Sequence, residues 1–180
     1  RQMCIRDSGD VSIAEKNPCF NKNPHYAHLT YTGQITRTGL ENEGFKGIGI
    51  KADENYDFSL YARTETNNPI KLRIELVNRD NDIYETQHLD IKGKDWKKYS
   101  VILSPKATEA KSRLRITMET AGTLDLEHIS LFPEKTFNNR TNGLRRDLAQ
   151  ALKDLKPGIF RFPGGCIVEG TTCLLYTSPS

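Results

Sequence analysis

The chain has 180 residues, and its 26 lysines and arginines stand against 23 aspartates and glutamates, a net charge of +3. Basic residues scattered among acids in this way argue against the concentrated positive face of an electrostatic nucleic-acid binder. No apolar run approaches the ~20 residues of a membrane-spanning helix, and four cysteines without CxxC or Cys–His spacing give neither a zinc site nor a disulfide scaffold.

The two ends form an unusual pair. Residues 1–8 read RQMCIRDS and residues 173–180 read CLLYTSPS. Met3 to Ser8 can be encoded by a DNA string whose reverse complement, read one frame over, gives Cys-Leu-Leu-Tyr-Thr, the residues from Cys173 to Thr177. One DNA segment at the start and its inverse at the end resembles the translated repeat of a transposase-type sequencing adapter. Such sequence is set aside from fold reasoning. The expected insert runs from about Gly9 to Thr172, with Cys19 and Cys166 as its cysteines and neither native terminus in place.

From His25 to Pro133 the pattern is short alternating runs broken by turn residues. In YDFSLYAR, Tyr56, Phe58, Leu60 and Ala62 fall on one face, with Asp57, Ser59, Tyr61 and Arg63 on the other. IKLRIELV repeats the period, setting Ile70, Leu72, Ile74 and Leu76 against Lys71, Arg73, Glu75 and Val77. KYSVILS, SRLRITMET and TLDLEHISLF follow it, and ADEN, TNNP, RDND, KGKD and ETAG separate the runs. Alternation at 180° per residue marks half-buried strands. Strands recurring every ten or so residues, with turn clusters between them, predict an antiparallel β-sandwich of jelly-roll, galactose-binding-like type over 9–133. Two readings stand for Trp96 and Tyr99: a platform under a sugar ring, or core filling at a strand start, the use that aromatic area favours. His25, His28, His88 and His128 have no mutual spacing that suits a metal, and no cofactor is implied.

After LFPEKTF the period changes. Leu144, Leu148, Leu152 and Leu155 recur at helical spacing, with Arg145, Arg146, Asp147, Gln150, Lys153 and Asp154 opposite. This predicts an amphipathic helix over 143–155, capped by Asn142 and stopped by Lys156-Pro157-Gly158. Ile159-Phe160-Arg161-Phe162 then reads as a short strand closed by Pro163 and a Gly-Gly pair. A helix feeding a strand so tightly is half of a β/α unit, foreign to an antiparallel sandwich. With Phe160 and Phe162 packed on helices, Arg161 points into the sheet or barrel and needs a carboxylate or ligand partner. The bland alternative makes PGG a simple turn and leaves Arg161 in solvent.

The stretch LFPEKTFNNRTNGLRRDLAQALKDLKPGIFRFPGGCIVEG, from Leu131 to Gly170, resembles the family 51 glycoside hydrolases, the α-L-arabinofuranosidases. Upstream, ENEGFKGIGIKADENYDFSLYAR and WKKYSVILSP resemble the carbohydrate-binding-module-like sandwich of the same enzymes. The resemblance implies that 134–172 begins a (β/α)8 barrel, the sandwich being inserted after the first barrel strand. It places the family motif of Arg, aromatic, Pro, Gly, Gly and Asn or Cys on Arg161 to Cys166. By that resemblance Arg161, Gly165 and Cys166 line the arabinose subsite, with Arg161 near a nucleophile carboxylate. The family mechanism is retaining hydrolysis by two glutamates about 5 Å apart. Both come from later barrel strands and have no matching position here, and Glu169, lacking a second carboxylate, is not assigned a role.

Three readings follow. The first is an inactive piece of an exo-acting arabinofuranosidase whose partner is an arabinose-containing polysaccharide, with no nucleic acid, membrane or cofactor. The second is a non-catalytic carbohydrate-binding sandwich, and the third a sandwich that only braces a barrel. Placement in the cell is not set by these residues, though an extracellular or periplasmic parent fits polysaccharide degradation. The helix and strand, cut off from a barrel, are expected to sit exposed or to fold back on the sandwich.

Overall fold

The computed structural model describes residues 2–6, 9–33 and 38–159. Eleven strands follow one another: β1 (Gln2–Arg6), β2 (Gly9–Ala14), β3 (Tyr26–Tyr31), β4 (Thr38–Asn42), β5 (Ile48–Ile50) and β6 (Tyr56–Arg63) come first. Then come β7 (Ile70–Val77), β8 (Ile83–Ile91), β9 (Lys97–Leu103), β10 (Glu109–Met118) and β11 (Gly122–Pro133), followed by helix α1 (Arg146–Asp154). The strands form two sheets, ordered β1-β4-β10-β7-β8 with β5 also on β10, and β2-β3-β11-β6-β9. All pairings are antiparallel. This is the predicted β-sandwich.

The alternating residues do what their period requires. Phe58, Leu60 and Ala62 of β6 and Ile70, Leu72, Ile74 and Leu76 of β7 are wholly buried in one core between the sheets. Leu29, Leu103, Leu114, Ile116 and Leu124 complete it from the other strands. The predicted turn clusters carry the tight backbone: Asp53 and Asn81 adopt left-handed φ of 59° and 68°, which short polar side chains tolerate. Between β7 and β8, Asn78 Oδ1 accepts from the N–H groups of Asp80 and Asp82 at 2.8 and 2.9 Å.

β11 departs from unbroken alternation. Its register against β6 shifts between Glu127 and Ser130, which pair with Tyr61 and Ser59, so β11 has one residue more than its partner. His128, at φ 50°, takes up the excess as a bulge. Leu124 and Leu126 face the core before it, and Ile129 and Leu131 pack on the core after it. The parity switch keeps both halves of one long strand apolar-side in.

β1 lies in the stretch set aside as adapter-like, yet Gln2–Arg6 pairs along β4 from Asn42 to Thr38. An open edge supplies backbone donors and acceptors to any extended segment, so this ladder carries no message about where the residues came from.

Helix α1 begins three residues later than predicted. Asn142 is not its cap: it sits at φ 53° in a turn, and Arg145 is the residue before the helix. The intervening backbone is used elsewhere, since Thr136 bridges Arg145 and Phe137 N–H donates to Leu144 O at 2.9 Å. The stop is as read, with Leu155 ending the helix and Lys156 left-handed ahead of Pro157. The leucine stripe faces solvent. Leu144, Leu148, Leu152, Leu155 and Ile159 are all exposed, and Ala149 is the buried residue of the helix.

Candidate functional site

The outer face of the five-stranded sheet carries a polar and aromatic cluster. Asp125 on β11 stands between His28 on β3 and Arg63 on β6. Its Oδ1 is 2.6 Å from His28 Nδ1, and its Oδ2 accepts from Arg63 Nε at 2.7 Å. The Arg63 guanidinium lies 4.6 Å from the centre of the Trp96 ring and 5.2 Å from that of Tyr26, close enough for cation–π attraction. Both aromatics are also tied to the loop between β2 and β3: Trp96 Nε1 donates to Asn17 O at 3.0 Å and Tyr26 Oη to Lys16 O at 2.9 Å. Further along, Phe20 of that loop packs edge-on against Tyr61 at 5.1 Å.

Trp96 therefore does not fill the core. It lies outside the core between the sheets, partly exposed, with Arg63 over one face of its ring. Tyr99 packs against the core, and its hydroxyl accepts from Lys92 N–H and donates to Lys92 O. The loop covers the face so closely that Glu127 is buried with one carboxylate oxygen lacking a hydrogen bond among the described residues. Burial, and then the Glu127 carboxylate, push the Cys19 thiol up. A thiol in that setting is a weak nucleophile.

The outer face of the six-stranded sheet holds a second charged array. Glu41 on β4 accepts from Arg113 at 2.7 Å and from Arg115 at 2.8 Å. Burial raises its carboxyl, but the two arginine hydrogen bonds outweigh that and hold it below the usual carboxylate range. Glu75 on β7 is fully buried, 3.5 Å from Arg73 Nε, and Arg73 also reaches Glu119 at 3.5 Å. Register puts Glu41, Arg115 and Glu75 in one row across β4, β10 and β7. The two carboxylates are thus two strand spacings apart, roughly 10 Å, well beyond the ~5 Å of a retaining glycosidase pair. Neither reaches solvent, so this row is structural.

Near α1 a cleft of about 1070 Å³ opens between β5, β10, the end of β11 and residues 143–147. Arg145 grips Asp147 through two hydrogen bonds, at 3.1 and 2.6 Å. That grip, helped by the Leu148 N–H, lowers the Asp147 carboxyl to about 2. Arg161, Gly165 and Cys166, the residues singled out from the sequence, lie outside the described residues, as do Phe160 and Phe162.

Comparison with known proteins identifies the setting. An extracellular exo-α-L-arabinofuranosidase of Streptomyces chartreusis is 31% identical over 159 residues, 88% of this chain and 18% of that protein. α-L-Arabinofuranosidase 1 of Arabidopsis thaliana is 31% identical over 178 residues, 92% of this chain and 25% of that one. The crystal structure of an arabinose-bound family 51 α-L-arabinofuranosidase superposes with a TM-score of 0.83 at 28% identity, covering 96% of this chain and 29% of that one. Its relatives are the family 51 α-L-arabinofuranosidases. The chain spans about a fifth to a quarter of the arabinofuranosidases it matches. A xylan-binding module from Paenibacillus barcinonensis shares the fold alone, at a TM-score of 0.53 and 12% identity, covering 75% of this chain and 86% of that one. No protein-family model matches the chain.

Proposed function

We propose that the chain is an internal part of a retaining, exo-acting α-L-arabinofuranosidase that removes terminal arabinofuranosyl residues from arabinan- or arabinoxylan-type polysaccharides. The alignment with arabinofuranosidases over nine-tenths of the chain, together with the 0.83 superposition, carries this reading. In the parent, residues 134–172 begin a (β/α)8 barrel, and Arg161, Gly165 and Cys166 line its arabinose subsite. A guanidinium at Arg161 orients the sugar and faces the nucleophile carboxylate, while the glycines let the backbone come close to the ligand. The two glutamates of the double displacement belong to parts of the parent beyond the segment matched here. By itself the segment is inactive.

DNA sequence extended on both sides of the insert tests the reading. It predicts further β/α repeats with glutamates at strand ends, and a continuation without them would defeat it. In the parent so recovered, Arg161→Ala should cut kcat/KM on an aryl α-L-arabinofuranoside by about a hundredfold or more, the scale of losing a charge-assisted contact to the reacting sugar. The 180-residue chain itself should not turn that substrate over.

Within the parent, the sandwich has a bracing role. Support comes from its outer sheet face, where Trp96 has one ring face on Arg63 and its indole N–H on the loop between β2 and β3. Titration with arabinan and arabinoxylan, repeated on folded Trp96→Ala, separates bracing from binding: a bracing module binds neither polymer, whereas binding that is lost with the tryptophan would overturn the bracing role.

A further inference from the structure

The turn between β4 and β5, ENEGFKG, presents a large apolar ring to solvent on a stiff support. Phe45 is 98% exposed. Gly44 and Gly47 hold φ of 64° and 101°, the left-handed region that favours glycine. Asn42 Oδ1 accepts from Gly44 N–H at 2.9 Å. A Cβ on Gly47 would come within 2.4 Å of Lys111 Cα, so the turn is pressed tightly onto β10. The phenylalanine thus stands on a fixed loop; a lone exposed ring is ordinary by itself, and its significance comes from the charges beside it.

Beside it runs a groove of about 630 Å³ whose lining includes Lys46, Arg79, Lys111 and Arg113, with Glu43 as its carboxylate. Arg113 is committed to Glu41. Lys46, Arg79 and Lys111 are exposed and have no ion pair recorded among the described residues. Three cations around one ring, with Lys111 partly offset by the Glu109 carboxylate, call for an anion with a stackable face.

We propose that this groove binds an acidic polysaccharide, a polyuronate whose carboxylates pair with Lys46, Arg79 and Lys111 while Phe45 stacks on a sugar ring. Single-stranded nucleic acids also combine phosphate contacts with stacking, but their grooves set out several aromatics for successive bases, and this one offers a single ring. The choice of a polysaccharide over a nucleic acid rests on the hydrolase reading, and the site's charge and shape do not.

Native affinity electrophoresis of the 180-residue chain tests the proposal, with gels containing polygalacturonate, its fully methyl-esterified form, or neutral arabinan. Retardation is expected in polygalacturonate alone, weakening as salt is added. Phe45→Ala and the pair Lys46→Glu/Lys111→Glu should each weaken it about tenfold or more, a loss of ~1.4 kcal/mol. The charge-matched pair Lys94→Glu/Lys98→Glu, placed near and on β9, should not. Equal retardation by the esterified polymer, an equal loss in the control pair, or no retardation would overturn the proposal, as would tighter binding of an oligothymidylate competitor. None of these results touches the arabinofuranoside assay on the extended parent, so the two readings fail separately.

Discussion

The sandwich and the α1 segment both carry amphipathic sequence, and among the described residues only one of them finds a partner for it. The period-two faces of β6 and β7 meet in a core where Phe58, Leu60, Leu72 and Ile74 lose all contact with water. Among the described residues the 3.6-period face of α1 is left largely uncovered: Leu144 and Leu155 are more than seven-tenths exposed. Periodicity therefore reports which side of an element is meant to be covered, and not whether the cover is present.

Substitutions can break that contrast. The largest effect is expected in the core, where Phe58→Ala should cost about 3–5 kcal/mol in urea unfolding, the range for emptying a buried aromatic site. Next comes Glu41→Gln, which leaves the mostly buried Arg113 and Arg115 without their charge partner and should cost about 3 kcal/mol, the low end for breaking a buried ion pair. The pH profile sharpens this. Glu41 has a folded pKa below its ordinary 4.5, so its contribution is complete above that value and is lost as pH falls through the lower, folded one. Glu41→Gln should flatten that acid limb. Asp147 obeys the same sign, its contribution fading between 3.8 and about 2, but it is exposed and should leave the unfolding midpoint of the sandwich unmoved.

A smaller loss is expected from Trp96→Ala, about 1–2 kcal/mol from the indole hydrogen bond and the arginine stack. It should also admit protease to the loop between β2 and β3 ahead of the rest of the sandwich, which limited proteolysis would detect. The smallest change belongs to Leu148→Ser with Leu152→Ser. Exposed positions of this kind shift stability by less than about 0.5 kcal/mol, and the visible result should be less self-association by light scattering. A large destabilisation there would mean that the stripe packs on the sandwich in solution.

Most of the sandwich was legible because strand faces and turn residues are written locally. Asp53, Asn81 and the alternation of β6 and β7 needed no knowledge of the partner sheet. The features that escaped are products of tertiary contact. Trp96 was weighed as core or platform, but its position is set by Arg63 and by a loop some eighty residues earlier in the chain. Asn142 looked like a cap because its type and place were right, yet the Thr136–Arg145 bridge took the backbone that the first turn would have used. Glu75 was read as the polar side of its strand, and neighbouring cations on the same face bury it. Arg161, Gly165 and Cys166 rest on the family motif alone and lie outside the described residues.

The bulge at His128 makes β11 sensitive to length in a way that its composition does not reveal. Deleting His128 would leave a regular ladder with Ile129 and Leu131 still inside, but inserting one further codon after it would exceed what the bulge absorbs, turning Ile129 and Leu131 to the outside and bringing Ser130 and Phe132 in. The lesion would act on the sheet as a frameshift acts on a gene: each residue beyond it intact, and each facing the wrong way.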